Sequence, residues 1–313
     1  MLNLTNYSAT PIQPITENLN NNNFYMKRDD LFPLSFGGNK ARKAVHFFKD
    51  MISNNADCIV TYGSNASNHC RVVANIAASM KVPCYIVSPN QSDSQTFNSE
   101  MVKLFNASII KCPIEEVNTT IKKKLKELKL QGYIPYFIPG GGHGDIGTKA
   151  YLEVYREIVE FERTSGVQFD YIFHTTGTGT TQAGLVCGKI LGNDEKKIVG
   201  ISNARRNPYG GKVVLESINS YLGSIGAPEI SKDEVVFIDA YTLEGYGEYN
   251  VGILNTIENI LRQDGIPLDP IYTGKSFWGM KEYIKSNGIK DKNVLFIHTG
   301  GTPLFFNHLK EIK

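Results

Sequence analysis

One lysine stands behind two glycines in Phe36-Gly37-Gly38-Asn39-Lys40-Ala41-Arg42-Lys43, where the pattern predicts the start of a helix. A lysine amine attacks a carbonyl only when it is neutral and aimed, and paired glycines let backbone approach a flat ring closely. Lys40 is therefore a candidate for covalent chemistry on a carbonyl cofactor. Downstream, the apolar run Cys58-Ile59-Val60-Thr61-Tyr62 gives way to Gly63-Ser64-Asn65-Ala66-Ser67-Asn68-His69 and then to a helical pattern. Small polar residues at such a turn collect anions. A third stretch, Thr175-Thr176-Gly177-Thr178-Gly179-Thr180-Thr181-Gln182-Ala183-Gly184, follows the apolar run Tyr171-Ile172-Phe173-His174. It offers backbone N–H groups and hydroxyls at a helix N-terminus, which suits a phosphate.

Other motif readings fit less well. A dinucleotide fingerprint would need glycine at position 182, where Gln182 stands, and a Walker loop at Gly274-Lys275-Ser276 would need glycine in place of Asp269. The six histidines show neither H-E-x-x-H spacing nor cysteine partners, so no metal site is expected, and no G-x-S-x-G elbow occurs. Tyr246 and Tyr272 sit in the glycine-flanked segments Gly245-Tyr246-Gly247 and Pro270-Ile271-Tyr272-Thr273-Gly274; among 16 tyrosines, neither marks a site alone.

The elements that must position these residues are legible as a rhythm. From about Asp57, short apolar runs alternate with helical patterns, at Val82–Val87, Ala107–Ile110, Pro135–Pro139, Tyr171–Thr175, Lys197–Ile201, Val235–Ile238 and Asn293–Ile297. That alternation predicts βαβ units and mostly parallel sheets, with Gly140-Gly141-Gly142-His143-Gly144 as the crossing between two of them. Asn20 to Asn23 reads as a polar loop and Lys122 to Lys129 as a solvated surface helix. With 33 basic and 31 acidic residues the net charge is +2, which gives no field for nucleic acid and favours a small-molecule partner. Five cysteines without a CxxC pair, no apolar run near ~18 residues and an N-terminus without signal-peptide character predict a soluble cytoplasmic protein without membrane contact.

The lysine block, the anion turn and the Thr/Gly loop, in this order, resemble the β-family of pyridoxal-phosphate enzymes, the group that includes tryptophan synthase β. Phe36 to Lys43, the pair Ser67-Asn68, the run Thr181-Gln182-Ala183-Gly184 and Asp269 to Lys275 resemble its aminocyclopropane-carboxylate deaminase and D-cysteine desulfhydrase branch. The likeness runs from Lys27-Arg28-Asp29-Asp30 to His298-Thr299-Gly300-Gly301. It implies fold type II: an α/β protein with two open, twisted, mostly parallel sheets in two domains and the cofactor in the cleft between them. The larger domain would span 1–43 plus 150–313 and the smaller 44–149.

The resemblance also distributes roles. Lys40 would carry pyridoxal 5'-phosphate and move the α-proton, while Lys43, Gly177, Thr178, Gly179, Thr180 and Thr181 would hold the phosphate. Asn68 would meet the phenolic oxygen and Ser67 the substrate carboxylate; His69 serves either the substrate or the helix alone. Tyr246 and Tyr272 would face the substrate side chain, and Thr273 the pyridine nitrogen. A hydroxyl at that nitrogen gives a weaker electron sink than a carboxylate, which suits thiolate departure. The implied function is a lyase acting by α,β-elimination on a small amino acid, with D-cysteine giving pyruvate, ammonia and hydrogen sulfide. Aminocyclopropane-carboxylate deaminase and a β-replacement synthase are the alternatives, and a homodimer is implied. Asn65, Ala66 and His143 depart from the family pattern beside the expected substrate pocket.

Overall fold

Each apolar run alternates between two hydrophobic clusters, as a strand covered on both faces must. In the run Cys58–Tyr62, Cys58 and Val60 join one cluster and Ile59 the other. In the computed structural model, which describes residue 4 and residues 7–64, 66–90 and 95–312, these runs build two sheets. Asn65 lies outside the described residues.

The chain opens with Ile12–Pro14 (β1) and Asn23–Lys27 (β2), then Asn39–Ser53 (α1). Next come Cys58–Tyr62 (β3), Asn68–Met80 (α2), Cys84–Pro89 (β4), Phe97–Leu104 (α3), Ser108–Cys112 (β5), Val117–Leu130 (α4) and Pro135–Ile138 (β6). The last four strands form one parallel sheet in the order β5-β4-β3-β6. One face packs against Phe48 of α1, Val72 and Ile76 of α2 and Val102 of α3, the other against Val117, Ile121 and Leu128 of α4. The lysine-rich stretch lies on α4, where Lys124 pairs with Glu127 at 2.8 Å. Asn20 and Asn21 form a turn with positive φ, and Asn22 ties it down through the carbonyls of Leu19 and Ile289.

After the glycine crossing come Asp145–Ser165 (α5), Tyr171–Thr176 (β7), Thr180–Leu191 (α6), Lys197–Ser202 (β8), Tyr209–Ser224 (α7) and Val236–Ile238 (β9). Val251–Asp264 (α8), Thr273–Ser286 (α9), Asn293–Ile297 (β10) and Thr302–Asn307 (α10) complete the chain. The second sheet runs β1-β2-β10-β7-β8-β9, parallel except for the β1–β2 edge pair. Leu295 and Ile297 of β10 face α5, α6 and α7, while Val294 and Phe296 face α8 and α9.

α1 is continuous through residues 43 and 44, and its apolar face from Ala41 to Met51 packs with the four-stranded sheet. Its polar start is tied to the other half by a buried ionic network. Arg42 reaches Asp29 at 3.0 Å and Glu157 of α5 at 2.7 Å, and Lys27 of β2 reaches Glu157 at 2.6 Å. No helix among the described residues is long and apolar enough to cross a membrane.

Candidate active site

The C-terminal ends of β3, β4, β6, β7 and β8, with the loop after β10, surround a cleft of about 740 Å³. Open parallel sheets place ligands at that edge. Of the residues singled out above, Lys40, Ser67, Asn68, His69, Gly177, Thr178, Tyr246 and Tyr272 line it. Lys43, Gly179, Thr180, Thr181 and Thr273 stand behind its wall.

Lys40 sits in the first turn of α1, half-buried, and desolvation brings its amine down to about 8. The paired glycines have a steric cause. A Cβ on Gly37 would lie 2.1 Å from the Asp30 carbonyl oxygen, and one on Gly38 would lie 2.6 Å from that of Thr299. Both residues also hold positive φ, 64° and 90°. The start of α1 is thus wedged between two backbone segments that only glycine can pass.

Ser67 is the N-cap of α2, accepting from Cys70 N at 3.3 Å, and it lines the cleft as well. Asn68 offers its carbonyl oxygen to Asn98 Nδ2 at 2.9 Å, which leaves its NH₂ group for the cleft. His69 stands 2.8 Å from the Thr61 hydroxyl, which itself donates to the Ile138 carbonyl. With that hydrogen spent, Thr61 accepts from His69, so the Nε2–H tautomer is fixed. Burial, helped by the charges of Lys40 and Lys43, lowers its pKa to about 3, and the ring stays neutral.

The Thr/Gly loop differs in detail from the expectation of hydroxyl donors. Thr180 Oγ1 accepts from Lys43 Nζ at 2.7 Å and contacts the Gly142 carbonyl at 3.3 Å, and Thr181 Oγ1 accepts from Asn39 Nδ2 at 3.1 Å. The Thr180 hydroxyl is thus used inside the protein, while that of Thr181 accepts from Asn39 and keeps its own hydrogen to donate. Backbone N–H groups remain: α6 has no side-chain cap, and Ala183 N is the first to find a backbone acceptor, Gly179 O. Lys43 is 1% exposed with a neutral hydroxyl as its hydrogen-bond partner, and burial plus the charge of Lys40 push its pKa well below the usual value. His143 Nδ1 donates to the Thr178 carbonyl at 3.1 Å, and burial lowers its pKa.

Tyr246 and Tyr272 meet hydroxyl to hydroxyl at 2.6 Å. Burial raises both pKa values, Tyr272's well above the ordinary range, so both stay protonated. Their separate loops are fixed by Asp269 and Lys275. Asp269 caps α9, accepting from the backbone of Ile271, Tyr272 and Thr273 and from the Thr273 hydroxyl at 2.8 Å. Thr273 is fully buried, and that same oxygen accepts from Asp269 N, so its hydroxyl is committed away from the cleft. Lys275, also fully buried, donates to the carbonyls of Thr242 and Gly245 and so pins the segment carrying Tyr246.

Sequence reading missed Asn203 and Arg205 and gave no individual role to Thr175 and Thr299, although all four line the cleft. Each follows or ends a strand that the apolar rhythm identified, so the rule that ligands sit beyond the carboxyl ends of parallel strands would have found them. Among the described residues no Asp or Glu lines the cleft, whereas Lys40 and Arg205 do. A cleft without carboxylates, a buried lysine without a counter-charge and an uncapped helix start fit a ligand bearing a phosphate. No group of residues suited to a metal ion exists among the described residues.

The family described as "Pyridoxal-phosphate dependent enzyme" matches residues 4–300. A D-cysteine desulfhydrase from Serratia proteamaculans is 30% identical over 97% of this chain and 95% of its own length. A solved structure described as an ACC deaminase homologue superposes with a TM-score of 0.87 at 29% identity, over 97% of this chain and 93% of its own. A threonine deaminase isoform from Solanum lycopersicum shares the fold at TM-score 0.65 and 18% identity, over 98% and 82%.

Proposed function

Because the chain belongs to the pyridoxal-phosphate-dependent enzyme family, we propose that it is a D-cysteine desulfhydrase, releasing pyruvate, ammonia and hydrogen sulfide from D-cysteine and water. Its cofactor is pyridoxal phosphate, its fold is type II and its chemistry is that of a lyase of this family. The bound cofactor supplies a carbonyl that links amines and a ring that withdraws electrons from the α-carbon.

The observation that carries the reading is a lysine with a lowered pKa sharing one cleft with two protonated tyrosines in mutual contact. Lys40 would hold the cofactor through Nζ, and the same atom would accept the substrate's α-proton. Ser67 and the first N–H groups of α2 receive the substrate carboxylate, and the Asn68 NH₂ group holds the phenolic oxygen. Tyr272 would hydrogen-bond the departing sulfur, which leaves as hydrosulfide and takes its further proton from water, while Tyr246 holds the Tyr272 hydroxyl across the 2.6 Å contact. Lys43 and the N–H groups of Gly177 to Thr181 hold the phosphate. The place at the ring nitrogen is not given to Thr273, whose hydroxyl Asp269 already binds. D-cysteine ranks above aminocyclopropane carboxylate on the name of the 30% identical relative. The proposal further takes the protein as a cytoplasmic homodimer, with five buried, unpaired cysteines in support of the compartment.

The test is a screen of the purified yellow protein against D-cysteine, L-cysteine and aminocyclopropane carboxylate, following sulfide, pyruvate and ammonia. Sulfide and pyruvate in equal amounts from D-cysteine are expected. Ammonia from aminocyclopropane carboxylate with no sulfide from either cysteine would favour the deaminase. A new amino acid formed in place of pyruvate when a second thiol is added would favour β-replacement.

A further inference from the structure

The cleft holds a cation that the proposed mechanism does not use. Arg205 follows β8, and its Nη1 is buried without a hydrogen-bond partner. The guanidinium lies 5.4 Å from the centroid of the Tyr209 ring, a contact that does not satisfy the Nη1 hydrogens. Two residues earlier, Asn203 is 2% exposed on the same wall. A buried guanidinium donor left unpaired is costly, and an anion in the cleft removes the cost.

The neighbours indicate which anion. Asn203 N donates to Thr176 O at 3.2 Å, and a Cβ on Gly177 would lie 3.0 Å from Asn203 Oδ1. Thr178 follows, its carbonyl held by His143, and then the uncapped start of α6. The carboxylate seat at the start of α2 belongs to the other sheet. Lys43, the other cation at the loop, is buried next to Lys40, and both facts push its pKa down.

We propose that Arg205, oriented by Tyr209 and flanked by Asn203, is a phosphate-binding residue that reaches the Gly177–Thr181 loop from β8 while Lys43 reaches it from α1. This rests on the cofactor assignment and deepens it. A guanidinium there would supply the phosphate with a second cationic hydrogen-bond donor.

Arg205→Met and Arg205→Lys, stripped of cofactor and checked for fold by circular dichroism, are titrated with pyridoxal phosphate by absorbance, with inorganic phosphate as competitor. Arg205→Met should weaken cofactor affinity about tenfold or more and reduce competition by inorganic phosphate, with Arg205→Lys in between. Cofactor affinity within about twofold of wild type in folded Arg205→Met would overturn the assignment. So would unchanged cofactor affinity with a raised KM for D-cysteine, which would give the arginine to the substrate. Failure of the wild-type protein to bind pyridoxal phosphate would instead overturn the functional reading.

Discussion

At Lys40, burial and reactivity act in the same direction. Desolvation opposes the ammonium and brings the amine to about 8, so the nucleophilic form is common near neutrality. The neutral fraction rises as pH rises through that value. Covalent capture of the cofactor by stripped protein should therefore accelerate roughly tenfold per pH unit below 8 and flatten above about 9; stopped-flow absorbance reads this directly, and a rate still climbing at pH 10 would show an ordinary lysine. Lys40→Ala should lose both borohydride-trappable cofactor and turnover. Thr180→Asp makes a second test, because the new carboxylate would sit on the partner of Lys43 and against the phosphate site. The folded variant should bind pyridoxal phosphate at least about tenfold more weakly by absorbance titration. Lys40 was legible in the sequence because glycines announce a backbone constraint. The commitment of Thr273 to Asp269 was not, since the direction of a hydroxyl depends on what packs beside it.

Helix starts do most of the positioning at the scale of elements. α1 begins in the glycine wedge, α2 at Ser67, α6 at the bare Gly179 and α9 under the Asp269 cap, and each carries a site residue in or next to its first turn. The glycine pair revealed the first of these, and apolar runs followed by small polar residues revealed α2 and α6. The tie between the two tyrosine segments was hidden, because the motifs that contain Lys275 say nothing of which carbonyls its amine meets. Its amine pins Thr242 and Gly245, so Lys275→Met strands two buried carbonyls at about 1–3 kcal/mol each and frees Tyr246. Turnover should fall about tenfold while cofactor affinity holds, and in a Tyr246→Phe background the same change should cost little more. Equal losses in both backgrounds, measured as kcat, would reduce Lys275 to a packing role.

The two-sheet architecture was legible because continuous apolar runs require cover on both faces, and each covering helix has its own period. What joins the halves was not, because Lys27, Asp29, Arg42, Tyr151 and Glu157 are scattered over 130 positions of chain with no spacing to link them. Asp29 is the centre of that network: fully buried, it accepts from Thr10 at 2.7 Å and Tyr151 at 2.7 Å and faces Arg42 at 3.0 Å. Burial alone would raise its pKa, but Arg42, Lys27 and the two hydroxyls overcome this and hold it below the usual carboxylate value. A group whose folded pKa is lowered contributes stability above its unfolded pKa and loses it as pH falls through the folded one. At neutral pH, Asp29→Asn should cost about 3 kcal/mol or more, since the network is left with one carboxylate fewer opposite Arg42 and Lys27. Urea unfolding at pH 7 would register this as a lower midpoint, and the gap to wild type should narrow as pH drops below about 4. Because α1 is held between Asp29 on one side and the four-stranded sheet on the other, the variant should also blunt the Lys40 profile, its apparent pKa moving up toward 10.5 as the helix start loosens and water enters. A variant with wild-type stability at pH 7 and an unmoved Lys40 profile would show that the glycine wedge alone sets the position of the lysine.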